Sequence, residues 1–357
     1  MRNQVCTSLK QSHSHRSKNA IAMATARLGY FFGSRQRDDL SVRFPSRITT
    51  ALASFLIALS HLSAITVRAD DDFPPELTQF VPYNRNPVFT AAGPGHWDVK
   101  IRERGWILRE GDQWKLWYTG YDGTRPGQKM LGYATSTDGL AWKRHPQNPI
   151  YSEHWVEDVC IVSHEGTYYM FAEGAEDQAQ LLTSRNGIAW QRVGRLDVRL
   201  VNGEPIPDGP YGTPTAWFDN GQWNLFYERS DRGIWLARSV DTKVFTNVQD
   251  EPVIEPGPED YDRDQIAMNQ IIRHRDQYYA VFHGSRKSDD PKQPGLWATG
   301  LAQSTDLIHW TKYSGNPLRP VAENKSSGLL IHDGERFRLY TMHNEVHVHH
   351  GTINPLP

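Results

Sequence analysis

Eight carboxylates carry the possible chemistry of this chain: Asp98, Glu103, Glu157, Asp158, Glu173, Glu228, Asp262 and Asp264. Asp158 opens the apolar run Glu157–Asp158–Val159–Cys160–Ile161–Val162, where an unpaired charge is costly. Asp98 follows Trp97, and the stretch Gly-Pro-Gly-His-Trp97-Asp98 is echoed by Gly-Pro-Glu-Asp-Tyr261-Asp262. Carboxylates gathered at one mouth repel each other and resist burial, so their pKa values spread and an acid form and a base form coexist. Such a pair is what cleavage of a glycosidic bond needs: one carboxyl protonates the leaving oxygen while another attacks or activates water. The expected set is Asp98 as base or nucleophile, Asp158 as pKa setter and orienter, and Glu228 as acid. Trp97 and Tyr211 offer flat apolar faces for a sugar ring. Arg104, Asp262 and His283 can hold its hydroxyls or a substrate carboxylate.

What could bring such scattered acids together is an internal repeat. An acid or amide followed by Pro and an aliphatic recurs at Asn86, Asn148, Glu204, Glu251 and Asn316, at spacings of 62, 56, 47 and 65 residues. After each comes a hairpin whose second strand alternates aromatic and polar residues: QWKLWYTG, TYYMFAEG, QWNLFYER, QYYAVFHG and RFRLYTMH. Four units continue to a Ser-x-Asp or Ser-x-Asn turn closed by an aromatic, at Ser136, Ser184, Ser239 and Ser304. Each unit therefore reads as four strands, and five such units hide their faces by packing radially as an all-β, five-bladed β-propeller. The last unit lacks its outer strand. Phe80 lies six residues before Asn86, as Trp142 lies six before Asn148, so the strand from Phe80 to Arg85 is expected to close the ring.

In a propeller the innermost strands surround a funnel. Aligning the repeats on their second strands makes Arg104, Asp158, Thr213, Met268 and Ser327 equivalent at the mouth. One level along stand Tyr118, Glu173, Glu228, His283 and His343. Positions that symmetry makes interchangeable carry different polar residues, as a functional site imposes on a repeat.

The first 69 residues differ from the rest. They hold ten Lys or Arg against two acids, followed by an apolar run over Ile48–Val67 and a small-residue exit before Asp70. This reads as a basic leader with a secretory signal peptide over 1–69, a linker over 70–79 and the propeller over 80–357, in a secreted or periplasmic protein. A single membrane anchor is the alternative, since about 20 apolar residues span a bilayer, and only then is a membrane a partner. The mature part keeps 29 basic and 39 acidic residues, a net charge of −10, which argues against nucleic acid as a partner. Cys6 leaves with the leader and Cys160 remains in an apolar strand, so no intramolecular disulfide is expected.

From Phe80 onward the chain resembles the five-bladed propeller glycoside hydrolases of families 32, 43, 62, 68, 117 and 130, and most of all the family 43-like proteins. The residues that carry the resemblance are the Asn-Pro-aliphatic starts, the Ser-x-Asp-Gly-x-x-Trp turns and the strand pair DVCIVSHEGTYYMF. The resemblance implies a polysaccharide-degrading glycosidase acting on an oligo- or polysaccharide, with a base from blade one, a pKa-setting Asp from blade two and an acid from blade three. Asp158 matches the second position except for a following Pro. Blade one has Arg104–Gly105 where Asp-Pro is usual, leaving Asp98 or Glu103. Blade three has Thr213–Pro214 where Glu is expected, leaving Glu228 or Glu204. Family 117 also implies a histidine acid, which puts His283 among the candidates. No cofactor is required. A calcium ion in the axial channel near His343 is implied by some family 43 enzymes. The alternatives left open are a non-catalytic carbohydrate-binding propeller, a glycoside phosphorylase, and a sialidase-like enzyme suggested by the similarity of the Ser-x-Asp turn to the sialidase Asp-box.

Overall fold

The computed structural model describes residues 73–288, 290 and 295–352, all within a compact unit spanning Thr66–Pro357. The leader, the signal segment and the first residues of the linker lie outside the described residues. No described helix is long and apolar enough to cross a membrane.

Among the described residues the strands form five separate sheets, the blades of a propeller. Blade one is β2 (Lys100–Glu110), β3 (Gln113–Tyr121), β4 (Met130–Ser136) and β5 (Lys143–Arg144). Blade two is β6 (Glu157–His164), β7 (Thr167–Gly174), β8 (Gln178–Ser184) and β9 (Gln191–Arg195). Blade three is β11 (Gly212–Asp219), β12 (Gln222–Glu228), β13 (Ile234–Ser239) and β14 (Val244–Asn247). It gains a fifth strand, β10 (Asp197–Arg199), which runs parallel to β14. Blade four is β15 (Gln265–His274), β16 (Gln277–Arg286), β17 (Leu296–Ser304) and β18 (Thr311–Lys312). Blade five is β19 (Leu329–His332), β20 (Phe337–Met342) and β21 (Val346–Gly351), completed by β1 (Phe80–Pro82), which pairs antiparallel to β21 with Phe80 opposite Gly351. The N-terminal strand thus closes the ring as the spacing predicts, tying the first described strand to the last blade and leaving only the short edges of a propeller.

The repeated motifs fold alike for the same local reasons. In blade one the Ser136 hydroxyl accepts from Gly139 N at 2.9 Å, while Asp138 Oδ1 accepts from Leu140 N and Ala141 N, both at 2.8 Å. Asn186, Asp241 and Asp306 hold the corresponding turns. The aromatic strands stitch neighbouring blades through these turns. Trp117 Nε1 donates to Gly187 O at 2.7 Å, and the Tyr340 hydroxyl donates to Gly139 O at 3.0 Å. The Asn-Pro asparagines clamp a third strand by both backbone groups: Asn148 takes Tyr133 N on Oδ1 and gives Nδ2 to Tyr133 O, each at 2.9 Å. Glu204–Pro205 departs from the pattern. A glutamate carboxylate has no N–H to give the strand carbonyl, and the segment instead forms the return of the β10 connection, with Leu200 N donating to Glu204 O.

Candidate active site in the funnel

The innermost strands of blades one to four kink where they reach the axis. Pairing between β6 and β7 skips from Glu157 to Cys160, and between β11 and β12 from Gly212 to Thr215. The residue that begins each skip, Asp158 with φ 47° or Thr213 with φ 43°, takes a left-handed backbone. Bulges of this kind re-aim a side chain at the price of local strain. Blade one skips further, from Arg102 to Trp106. Its bulge holds one more residue, so Glu103, with φ 26°, reaches the mouth in the place that alignment on the strand body gives to Arg104.

The result is a funnel of about 230 Å³ lined by Glu103, Asp158, Glu173, Asp177, Glu228 and Asp231, with Arg102, His283 and Trp297 beside them. Of the expected residues, Asp158, Glu228 and His283 meet here. Glu173 and Glu228 come from neighbouring blades and are held by consecutive backbone amides, Gly212 N to Glu228 Oε1 at 3.0 Å and Thr213 N to Glu173 Oε2 at 2.9 Å. A Cβ on Gly212 would fall 2.3 Å from the Glu173 oxygen and 2.8 Å from the Glu228 oxygen, so only glycine lets both carboxyls approach. Glu228 also accepts from Asp231 N, and Asp231 accepts from Gln265 Nε2 at 2.7 Å. Across the mouth, Arg102 is paired to Glu157 at 3.0 Å and to Glu103 at 3.3 Å.

Crowding and burial act together on these acids. Burial, with Asp231 alongside, pushes Glu228 up to about 7. Burial and the Asp158 charge push Glu103 up to about 8, against the pull of Arg102. Glu173 is raised well above the carboxylate range by burial and then by Asp158. Asp158 is raised by burial too, but the Arg104 and Arg102 guanidiniums support its charge. His283 moves the other way, to about 3, because burial disfavours the imidazolium. Its Nδ1 lies 2.6 Å from Asn269 Oδ1, and the ring is neutral. A neutral imidazole with so low a pKa accepts from a hydroxyl but does not serve as a general acid.

Four expected residues stand elsewhere. Asp98 is 1% exposed, off the funnel, against Arg144 Nε and the Tyr118 hydroxyl, both at 3.3 Å. Asp262 is fully buried against Lys312 Nζ at 2.6 Å. Arg144 and Lys312 occupy matching places in the outer strands of blades one and four. The echoed aromatic-acid pair is therefore a strut that ties a loop to an outer strand, which is why it repeats. Trp97 belongs to that strut and packs tilted against Tyr118 with ring centroids 5.8 Å apart. Tyr211 faces a side cleft, with its hydroxyl on Leu196 O.

Arg104 is fully buried beneath the funnel, its guanidinium given to Thr215 Oγ1 at 2.6 Å, Met268 O at 2.7 Å, Pro214 O at 2.8 Å and Asn269 O, besides Asp158 O. It pins the floor through both terminal nitrogens and lies too deep to meet a sugar. Pairing also moves the second level by one residue in blade one: Thr119, opposite Arg102, matches Glu173 and Glu228, whereas Tyr118 packs in the core. The His343 ring meets the Ser326 hydroxyl at 3.2 Å. Among the described residues no group of three or more His, Cys, Asp or Glu side chains is placed to hold a metal ion.

Trp297, at the start of β17 and 5.1 Å from the His283 ring, is the aromatic face the funnel presents. No spacing marked it, since it follows a loop outside the repeat. Trp297→Ala is expected to raise KM about tenfold with kcat little changed, the signature of a lost binding face, read from initial rates on a soluble oligosaccharide.

No family model matches the sequence. Over 205 residues, 54% of this chain, it is 28% identical to a 1,2-beta-oligomannan phosphorylase of Thermoanaerobacter sp. (strain X514), and the matched stretch spans 63% of that protein. The structure superposes on a glycosyl hydrolase from Bacteroides ovatus with a TM-score of 0.62 and 16% identity, covering 78% of this chain and 95% of that one. It superposes on the beta-1,2-mannobiose phosphorylase from Listeria innocua with a TM-score of 0.58 and 14% identity, covering 76% and 95%. These relatives are named as carbohydrate-active enzymes, and the chain has the five-bladed β-propeller fold found in such glycoside hydrolases and glycoside phosphorylases.

Proposed function

We propose that this protein hydrolyses glycosidic bonds in the acidic funnel, with β-1,2-linked mannosides as the first substrates to try. In this reading Glu103 takes a proton from water as the water oxygen attacks the anomeric carbon. Glu228 gives its proton to the departing oxygen as the old bond breaks. Asp158, its charge supported by Arg104 and Arg102, raises Glu173 and Glu103 by like-charge repulsion, while burial and Asp231 hold the proton on Glu228. Glu103 replaces Asp98 as the blade-one carboxyl because the longer bulge delivers it to the mouth.

The substrate comes from the relatives, which are named for 1,2-linked mannans and mannobiose. The choice of water over phosphate rests on one observation, the charge of the lining. Phosphorolysis seats a phosphate beside the anomeric carbon, and such seats are built from arginine, lysine or backbone donors. Here six carboxyls line the funnel. Among the described lining residues Arg102 is the cation, and Glu103 and Glu157 already occupy it.

The expected outcome on β-1,2-mannobiose is mannose at a rate independent of phosphate from 0 to tens of millimolar. Chromatography of the products checks it. Mannose 1-phosphate, formed in proportion to added phosphate, would replace hydrolysis with phosphorolysis. No turnover of any glycoside, with binding retained, would favour the non-catalytic reading.

A further inference from the structure

The turn that separates β7 from β8 faces two ways. Asp177 lines the funnel, while Glu176 and Gln178 on either side of it line a second cleft of about 350 Å³ between blades two and three. Glu176 and Asp177 both hold left-handed backbone, φ 62° and 52°, so the turn presents consecutive side chains to the two spaces. The far wall is the connection carrying β10, which returns through Pro205–Ile206–Pro207. That return is tied down by Arg229 Nη2 to Pro207 O at 2.7 Å and Gln178 Nε2 to Gly209 O at 2.9 Å. The second cleft is thus a formed space with fixed walls.

Its chemistry suits a sugar. Ile206 supplies apolar surface, with only the edges of the largely buried Val198 and Tyr211 beside it, and Glu176, Arg195 and Asp208 supply donors and acceptors at the rim. Pyranose rings need both, a C–H face to cover and hydroxyl edges to bond. The charges around it exclude an acidic sugar. Arg195 is 3.6 Å from Glu176, Arg199 is bound to Asp197, and Asp208 leaves an excess of negative charge.

We infer that this cleft is an outer subsite for a neutral oligosaccharide whose scissile end lies in the funnel, so that the enzyme selects chains longer than a disaccharide. The inference rests on the glycosidase reading and adds chain length and path to it. Sugar units in the outer cleft gain contacts present before and during bond cleavage, so they lower Kd and KM together.

The test uses neutral β-1,2-manno-oligosaccharides of two to five units with the full chain. Binding is measured by calorimetry on Glu228→Gln, and kcat/KM on the wild type provides the same readout without relying on that variant. Affinity and kcat/KM are expected to rise about tenfold between two and four units. In Arg195→Ala/Asp208→Ala, whose altered side chains sit on the rim, the gain disappears while the disaccharide values hold. Equal values at every length, or a length dependence that survives the double variant, would overturn the outer subsite and leave the funnel reading standing. Absence of binding and turnover at all lengths would overturn both.

Discussion

Glu228→Gln is expected to lower kcat/KM on an unactivated mannoside by 10²- to 10⁴-fold, the range typical of a lost general acid or base. The pH profile then says which role was lost. On the proposed roles the competent form of the wild type has Glu103 ionised and Glu228 protonated, the minority arrangement of the pair because Glu103 holds its proton more tightly. With Glu103 near 8 and Glu228 near 7, activity peaks between pH 7 and 8 and falls on both sides. The fall above the peak comes from Glu228 losing its proton, and the fall below it from Glu103 gaining one. A dinitrophenyl glycoside carries a leaving group that departs without protonation, so the variant should recover most of its rate on it. On that substrate the variant should keep the rise toward pH 8 and lose the fall beyond it. A variant that loses the rise instead would make Glu228 the base. A variant equally slow on both substrates, with a bell-shaped profile intact, would remove it from proton transfer altogether. Glu103→Gln gives the complementary result: the acidic limb goes, and the activated leaving group does not help.

How far the sequence reaches is clear from which residues it places correctly and which it displaces. Strand alternation, the Ser-x-Asp turns and the Phe80 spacing are short-range signals, each fixed by a backbone hydrogen-bond pattern within a few residues. They carry through to five blades and to closure by β1. Asp158 is legible for a related reason: a charge opening a buried strand must be accounted for locally. Asp98 and Arg104 fail for opposite reasons. The Trp97–Asp98 echo is real but serves as a strut, and a repeat alone does not reveal whether an acid meets a cation such as Arg144 or a substrate. Arg104 is displaced from the mouth by one extra residue in a bulge, and one residue in a strand turns a side chain to the other face. The same residue brings in Glu103. Trp297 and the β10 wall arise from segments with no counterpart in the other blades, so no comparison between repeats could have placed them.

Arg104→Met is expected to destabilise the fold by about 3–5 kcal/mol, the range seen when one partner of a buried charged network is removed. The guanidinium sits where the innermost strands converge. It reaches carbonyls of blades two, three and four from its own place on blade one: Asp158 O, Pro214 O, Met268 O and Asn269 O. Asp158, Pro214 and Asn269 lie on the kinked stretches of their strands, where ladder pairing has been given up, and the arginine replaces the missing donors. Methionine fills a similar volume and supplies none, so buried acceptors are left unpaired. Urea unfolding should show the midpoint falling with the slope retained, as for a loss of stability without a change in compactness. Lysine at this position keeps the charge but not the planar fork, and should recover only part of the loss. Activity separates this role from simple scaffolding. Arg104 N also donates to Asp158 Oδ1 at 3.2 Å, and the Arg104 charge favours ionised Asp158. Without it, Asp158 holds its proton more tightly and represses its neighbours less, so the pH optimum of the residual activity should shift while an activated leaving group brings no rescue. An unchanged urea midpoint would mean that the propeller floor is held by blade packing alone, and the guanidinium would then be a passenger in it.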